Sequence, residues 1–224
     1  MPVLIVLLLL IIFGPNIWVR YVLRKHQKHI ETLDGTGSEL ALHLIDRFEL
    51  NGVQVIKGER DEDYYDPQNK IVSLSPEVFD GKSLTAVAVA AHEVGHAIQF
   101  YKQEPVSQLR EKYLSKAHFI RHYGVLFLMA SPIIGLIFRI PHLTLLTIII
   151  GLITMAVSVL MHAAVLPEEF DASFNKAMPI LSEGYISEEQ LPKVRQILKA
   201  CALTYVAASL ADMLNLWRWI RLIR

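Results

Sequence analysis

The chain has 224 residues and balances 22 Lys and Arg against 22 Asp and Glu, so it lacks the basic excess that would direct it to nucleic acid. Hydrophobic residues make up 53% of it and its mean hydropathy is +0.36, too apolar for an ordinary soluble domain. A single cysteine, Cys201, excludes an internal disulfide and fits a reducing compartment.

Residues 3–22 form one almost unbroken apolar run, long enough for a helix to cross the hydrocarbon core of a bilayer. No Lys or Arg precedes the run and no small-x-small cleavage site follows it, so the expectation is an uncleaved anchor and not a signal peptide. Arg20 lies at its end, and Arg24, Lys25 and Lys28 come directly after it. Positive residues stay on the cytoplasmic side, which places the N-terminus outside and the chain from about residue 24 inside.

Gly35-Thr-Gly37 breaks the chain, with Ser38 the expected cap of an amphipathic helix over residues 39–50 whose stripe is Leu40, Leu44, Ile45 and Phe48. Residues 53–56 alternate like a strand, residues 64–70 read as a turn around Pro67, and residues 71–75 read as a second strand. That second strand stands just before a long Ala-rich helix. A free edge on it would pair with an extended peptide through the backbone, making Val72, Ser73 and Leu74 candidate substrate-edge residues.

Residues 86–99, for which Ser83 is the expected N-cap, hold His92-Glu93-Val-Gly-His96 in their middle. On a helix the two histidines stand one above the other on the same face. Two neutral imidazoles so placed can grip one Zn²⁺ ion while leaving the rest of its shell open. Glu93, about 100° around the helix from His92, stays out of the coordination shell but within reach of a metal-bound water, as a general base requires. A buried pair of helical histidines with a solvated glutamate is the structural alternative. The Ala-rich frame, Gly95 and a later carboxylate all favour the metal site. His118-Phe-Ile-Arg-His122 repeats the spacing, but Phe119 replaces the base and Arg121 would sit beside any cation.

Residues 122–138 and 143–166 are apolar and joined by a tight loop at residues 139–142, which predicts a transmembrane hairpin. The hairpin returns the chain to the side it left. Glu168, Glu169 and Asp171 therefore share the cytoplasmic face with His92 and His96, where a two-histidine site lacks its third ligand. The helix expected from residue 191 turns apolar at residue 200 and ends in alternating Trp, Ile, Leu and Arg, which suits an interfacial segment or the end of a fourth span.

Glu169-Phe-Asp-Ala-Ser173 after such a hairpin, His92-Glu-Val-Gly-His96 before it, and Tyr64-Tyr-Asp-Pro67 through Ile71-Val-Ser-Leu-Ser75 upstream together resemble the YugP-type membrane zinc metallopeptidases over nearly the whole chain. The sequence is more distantly similar to the CAAX prenyl-protease and HtpX-like membrane proteases. The resemblance implies a zincin-like, gluzincin-like fold with Glu169, and not Glu168, as the third zinc ligand. Those distant relatives carry an aspartate four residues after the ligand glutamate, where this chain has Ser173. Asp171 is then the candidate to orient a ligand histidine through its other ring N–H.

The expected architecture is a mostly α integral membrane protein, with a small α+β catalytic domain containing a short β-hairpin or sheet and three or four transmembrane helices. Its parts are an anchor (1–23), the cytoplasmic part of the catalytic domain (24–121), a transmembrane hairpin (122–166), cytoplasmic helices with the third ligand (167–199) and an apolar helix with a basic end (200–224). The expected activity is that of a zinc metalloendopeptidase of the plasma membrane. It would use one Zn²⁺ and Glu93 at the cytoplasmic face to act on peptides or proteins, membrane proteins among them, with the lipid bilayer as its other partner. An intramembrane, site-2-like protease is the alternative enzyme. It is disfavoured because the apolar stretch before His92 is short and the run over residues 143–166 has no acidic ligand. A metal-stabilised scaffold would need no base at position 93.

Overall fold

The computed structural model describes residues 2–212 and is mostly helical, with one small sheet. The basic stretch at residues 217–224, expected at the interface or at the end of a fourth span, lies outside the described residues. The chain forms two compact units. One takes the N-terminal stretch to Asn16, Leu109–Leu166 and the chain from Tyr205 on; the other takes Ile17–Gln108 and Pro167–Thr204.

The first unit is built on helices. α1 (Pro2–Lys25) is 24 residues long and begins there. α5 (Gln108–Phe138) and α6 (Pro141–Ala163) follow each other through Arg139 and Ile140. The charged segment before the hairpin is continuous with its first arm in α5. The two stretches Pro105–Phe138 and Pro141–Tyr185 are long and apolar enough to cross a membrane. α5 and α6 approach closely through small residues: a Cβ on Gly124 would meet Thr154 Oγ1 at 2.3 Å, and Ser158 donates to the Ala117 carbonyl at 3.0 Å. Their outer faces leave Leu136, Leu152 and Leu160 exposed.

In the second unit α2 (Gly37–Arg47) starts two residues before the sequence suggests. Thr36 and Glu39 form a capping box, with Thr36 N–H donating to the Glu39 carboxylate at 2.7 Å and Glu39 N–H to the Thr36 hydroxyl at 3.3 Å. The sheet contains β1 (Gln54–Lys57), β2 (Tyr64–Asp66) and β3 (Ile71–Leu74) in the order β1-β3-β2. β1 runs parallel to β3 and β2 antiparallel to it, pairing Tyr64 with Ser73, Tyr65 with Val72 and Asp66 with Ile71.

This order corrects two expectations. Tyr64–Asp66 is a strand and not part of a turn. β3 is the central strand: Val72 and Ser73 have partners on both sides, while Leu74 is paired with Lys57 of β1, so this strand does not offer a substrate an open edge. The two edges of the sheet belong to β1 and β2, and Tyr65 of β2 is buried and packs on Phe100 with ring centroids 5.7 Å apart.

After α3 (Pro76–Phe79) comes α4 (Leu84–Tyr101), capped by the Ser83 hydroxyl, which accepts from Ala86 N–H at 3.1 Å. Every residue of α4 from Leu84 to Gln99 is buried, so this helix is the core of the unit and its apolar residues extend right round it. α7 (Leu166–Phe170) leads into a π-helical segment, Asp171–Ala177, then α8 (Met178–Ile180), a second π-helical segment at Leu181–Tyr185, and α9 (Leu191–Asp212). The first π-helical segment lies directly against α4. A Cβ on Gly95 would come within 2.8 Å of the Ala172 carbonyl oxygen, so the contact needs a glycine.

Candidate metal centre

α4 delivers His92 and His96 from one face, with ring centroids 4.7 Å apart and planes at 79°. α7 brings Glu169 to the same point. One ligand atom from each of the three residues lies within 4.8 Å of the other two, and all three side chains are buried. Glu169 Oε2 is 3.4 Å from His92 Nε2 and 3.3 Å from His96 Nε2.

The opposite ring nitrogens decide which tautomers are present. Ser173 Oγ has one proton and gives it to the Leu198 carbonyl at 3.0 Å, so its 3.0 Å contact to His92 Nδ1 must be an N–H donated by the ring. His96 Nδ1 lies 3.0 Å from Gln99 Oε1. The Gln99 amide cannot be flipped, because its nitrogen already faces two acceptors, the Glu168 carbonyl at 3.0 Å and Asp171 Oδ2 at 2.8 Å. His96 Nδ1 therefore also carries a proton. With both Nδ1 positions protonated, Nε2 is the atom each ring presents to the Glu169 carboxylate, and it is an acceptor whenever the ring is neutral.

Two imidazole nitrogens and a carboxylate oxygen converging in a buried pocket need a positive centre between them, supplied by ring protons in the metal-free protein or by a metal ion that replaces them. Zn–N and Zn–O bonds of about 2.0–2.2 Å in tetrahedral geometry separate the donor atoms by about 3.3 Å, close to the two distances seen from Glu169. The donor set fits zinc in chemistry, and the two distances from Glu169 fit it in spacing. Glu93 is buried next to His92 and offers a carboxylate outside this set. Cys201, buried on α9, lies within electrostatic reach of Glu93, Asp63 and Glu169.

Asp171 is placed differently from the expectation. It meets neither histidine, because Ser173 and Gln99 occupy the two Nδ1 positions. It accepts from Gln99 at 2.8 Å and from Asn175 at 2.7 Å, and lies 3.4 Å from Lys176 Nζ. Burial pushes the Asp171 pKa up, but the hydrogen bonds from Gln99 and Asn175 and the Lys176 charge outweigh it, so the net shift is downward. Glu168, fully buried, sits 3.9 Å from His96 Nδ1, on the protonated side of the ring and away from the acceptor cluster.

The sequence reading missed Gln99 and Ser173 as parts of the site. A signal for each was present: Gln99 follows His96 by three residues on an otherwise apolar helix, and Ser173 follows Glu169 by four.

A buried two-histidine, one-glutamate cluster able to hold a metal ion thus draws its histidines from a helix carrying His-Glu-x-x-His, the pattern of zinc peptidases. The sequence profile of the family described as putative neutral zinc metallopeptidases matches residues 1–224, and the chain belongs to that family. It is 32% identical over 216 residues to the protein named "Putative membrane protease YugP" of Bacillus subtilis (strain 168), a match covering 92% of this chain and 91% of that relative. No solved structure matches the chain significantly.

Proposed function

We propose that the protein is a membrane-embedded, zinc-dependent metalloendopeptidase that cleaves peptide bonds at the cytoplasmic face of the plasma membrane. The observation that carries this reading is the convergence of His92 Nε2, His96 Nε2 and Glu169 Oε2, with Glu93 buried on the same helix as the histidines. His92, His96 and Glu169 hold one Zn²⁺. When bound, zinc supplies Lewis acidity that brings the pKa of a coordinated water to about 7. Glu93 accepts the proton of the attacking water and later passes it to the leaving amine, so that its carboxylate is restored at the end of a cycle. Ser173 and Gln99 keep the histidine Nδ1 positions protonated, so neither ring turns its lone pair away from the cluster. A substrate in extended form pairs with the outer edge of β2, one of the two edge strands of the sheet, β1 being the other.

The membrane placement rests on different support. Two helical stretches have the length and apolarity to span a bilayer, and the relative in Bacillus subtilis is named a membrane protease. α1 adds a third apolar helix, and the basic residues that follow its apolar run favour an N-terminus outside.

Glu93→Gln tests the mechanism. The variant should retain its zinc and lose peptide cleavage by about 10²–10⁴-fold, the usual worth of a general base. Cleavage at the parent rate would overturn the assignment.

A further inference from the structure

Gln99 stands out once the site is described. It is fully buried near the end of α4, and a primary amide so placed is costly unless its groups are hydrogen-bonded. Here they are used in one fixed arrangement. Oε1 accepts from His96 Nδ1 at 3.0 Å, while Nε2 donates to the Glu168 carbonyl at 3.0 Å and to Asp171 Oδ2 at 2.8 Å. The two acceptors on the nitrogen side flank Glu169 in sequence. One side chain thus touches a histidine of α4 and both ends of the four-residue segment, Glu168 to Asp171, that presents the glutamate. Beyond Asp171 the chain of contacts continues to Lys176, which pairs with Glu104 at 2.9 Å.

We infer that Gln99 is a positioning residue: it locks His96 in the Nδ1–H tautomer and clamps the Glu168–Asp171 segment against α4, so that the ligand geometry exists before metal arrives. This rests on the metal-centre reading above for its purpose, but not for its structural content. The lock acts through a neutral acceptor whose orientation is dictated by Asp171 and the Glu168 carbonyl. Its polarity is therefore a property of the Gln99–Asp171 pair and not of Gln99 alone.

The experiment compares the full-length wild-type chain in detergent with Gln99→Leu, Gln99→Glu, Asp171→Asn and the double variant Gln99→Glu/Asp171→Asn. In metal-free protein, ¹⁵N NMR of the His96 ring should show the Nδ1–H tautomer in wild type and a mixture in Gln99→Leu. Competition with a chelator should then show Zn²⁺ bound about 10–100-fold more weakly by Gln99→Leu, the usual cost of losing a partner of a ligand histidine. The visible spectrum of the Co²⁺-loaded protein should change with it. Gln99→Glu removes both donors and sets two carboxylates together, so it should bind Zn²⁺ at least as poorly. The added Asp171→Asn change restores a donor to that contact and should recover about tenfold, a rescue that depends on hydrogen-bond polarity and not on packing. A wild-type tautomer and Zn²⁺ affinity in Gln99→Leu would overturn the inference. Should that variant fail to fold, equal affinities of Gln99→Glu and the double variant would do so. If wild type shows the Nδ1–H tautomer yet binds no Zn²⁺, the metal reading fails while the tautomer lock stands.

Discussion

Ser173 accepts a hydrogen bond from His92 Nδ1 at 3.0 Å while donating its own proton to the Leu198 carbonyl of α9 at the same distance. The hydroxyl is fully buried, and the carbonyl removes its freedom to donate toward the ring. A neutral oxygen here orients the ring without adding negative charge to the cluster. Replacing Ser173 with Ala leaves the His92 N–H without its acceptor. A buried unsatisfied donor costs about 1–3 kcal/mol of stability, and loss of a ligand's supporting partner costs about 10–100-fold in metal affinity. Chelator competition and thermal unfolding of Ser173→Ala should show both effects together.

Gly95→Ala sets two effects against each other. Alanine inside a helix is favoured over glycine by about 1 kcal/mol. A Cβ at this position would sit 2.8 Å from the Ala172 backbone oxygen, an atom that cannot swing aside. Overpacking of this kind costs about 1–3 kcal/mol, so the clash should win. The expected result is a lower melting temperature with weaker Zn²⁺ binding, because relief of the clash moves the segment carrying Glu169 away from α4. A raised melting temperature would contradict this.

Asp63 gives a pH-dependent prediction. It is partly buried and accepts from Ser75 N–H at 2.7 Å and from the Ser75 hydroxyl at 3.2 Å. Burial raises its pKa above the ordinary 3.8, with help from the nearby charges of Glu77 and Asp61, and the Ser75 bonds only partly offset this. A carboxyl with a raised folded-state pKa contributes stability that is fully present below its unfolded pKa and is lost as pH rises through the folded value. Asp63→Asn keeps an acceptor for Ser75 and removes the buried charge. Its melting temperature relative to wild type should therefore be most favourable near pH 7 and become less so as pH falls toward 4. A relative stability that improves on acidification would contradict the assignment.

The parts of this site differ in how far the sequence alone could reveal them, and the reasons are physical. His92, Glu93 and His96 are legible because one helix fixes their geometry through local spacing. A carboxylate from the segment at residues 168–171 is legible only through the intervening hairpin, and the choice of Glu169 over its neighbours needed the family resemblance. Asp171 carries the right chemistry, but helix phase directs it to Gln99 and not to a histidine. β2 escaped detection because three residues ending in Asp66-Pro67 are too few to establish a strand period. The position of β3 between two partners depends on a parallel pairing with β1 that no local pattern encodes. Gln99 and Ser173 left a spacing signal in the sequence, but their roles are fixed only when the two Nδ1 atoms have been located.

The most direct measurement is the zinc content of purified wild-type protein compared with Glu169→Ala. One zinc per chain in wild type, and little or none in the variant under the same dialysis, is the predicted result. A wild-type protein that retains no zinc, or a Glu169→Ala variant that retains as much as wild type, would contradict the convergence of His92, His96 and Glu169 on a single ion.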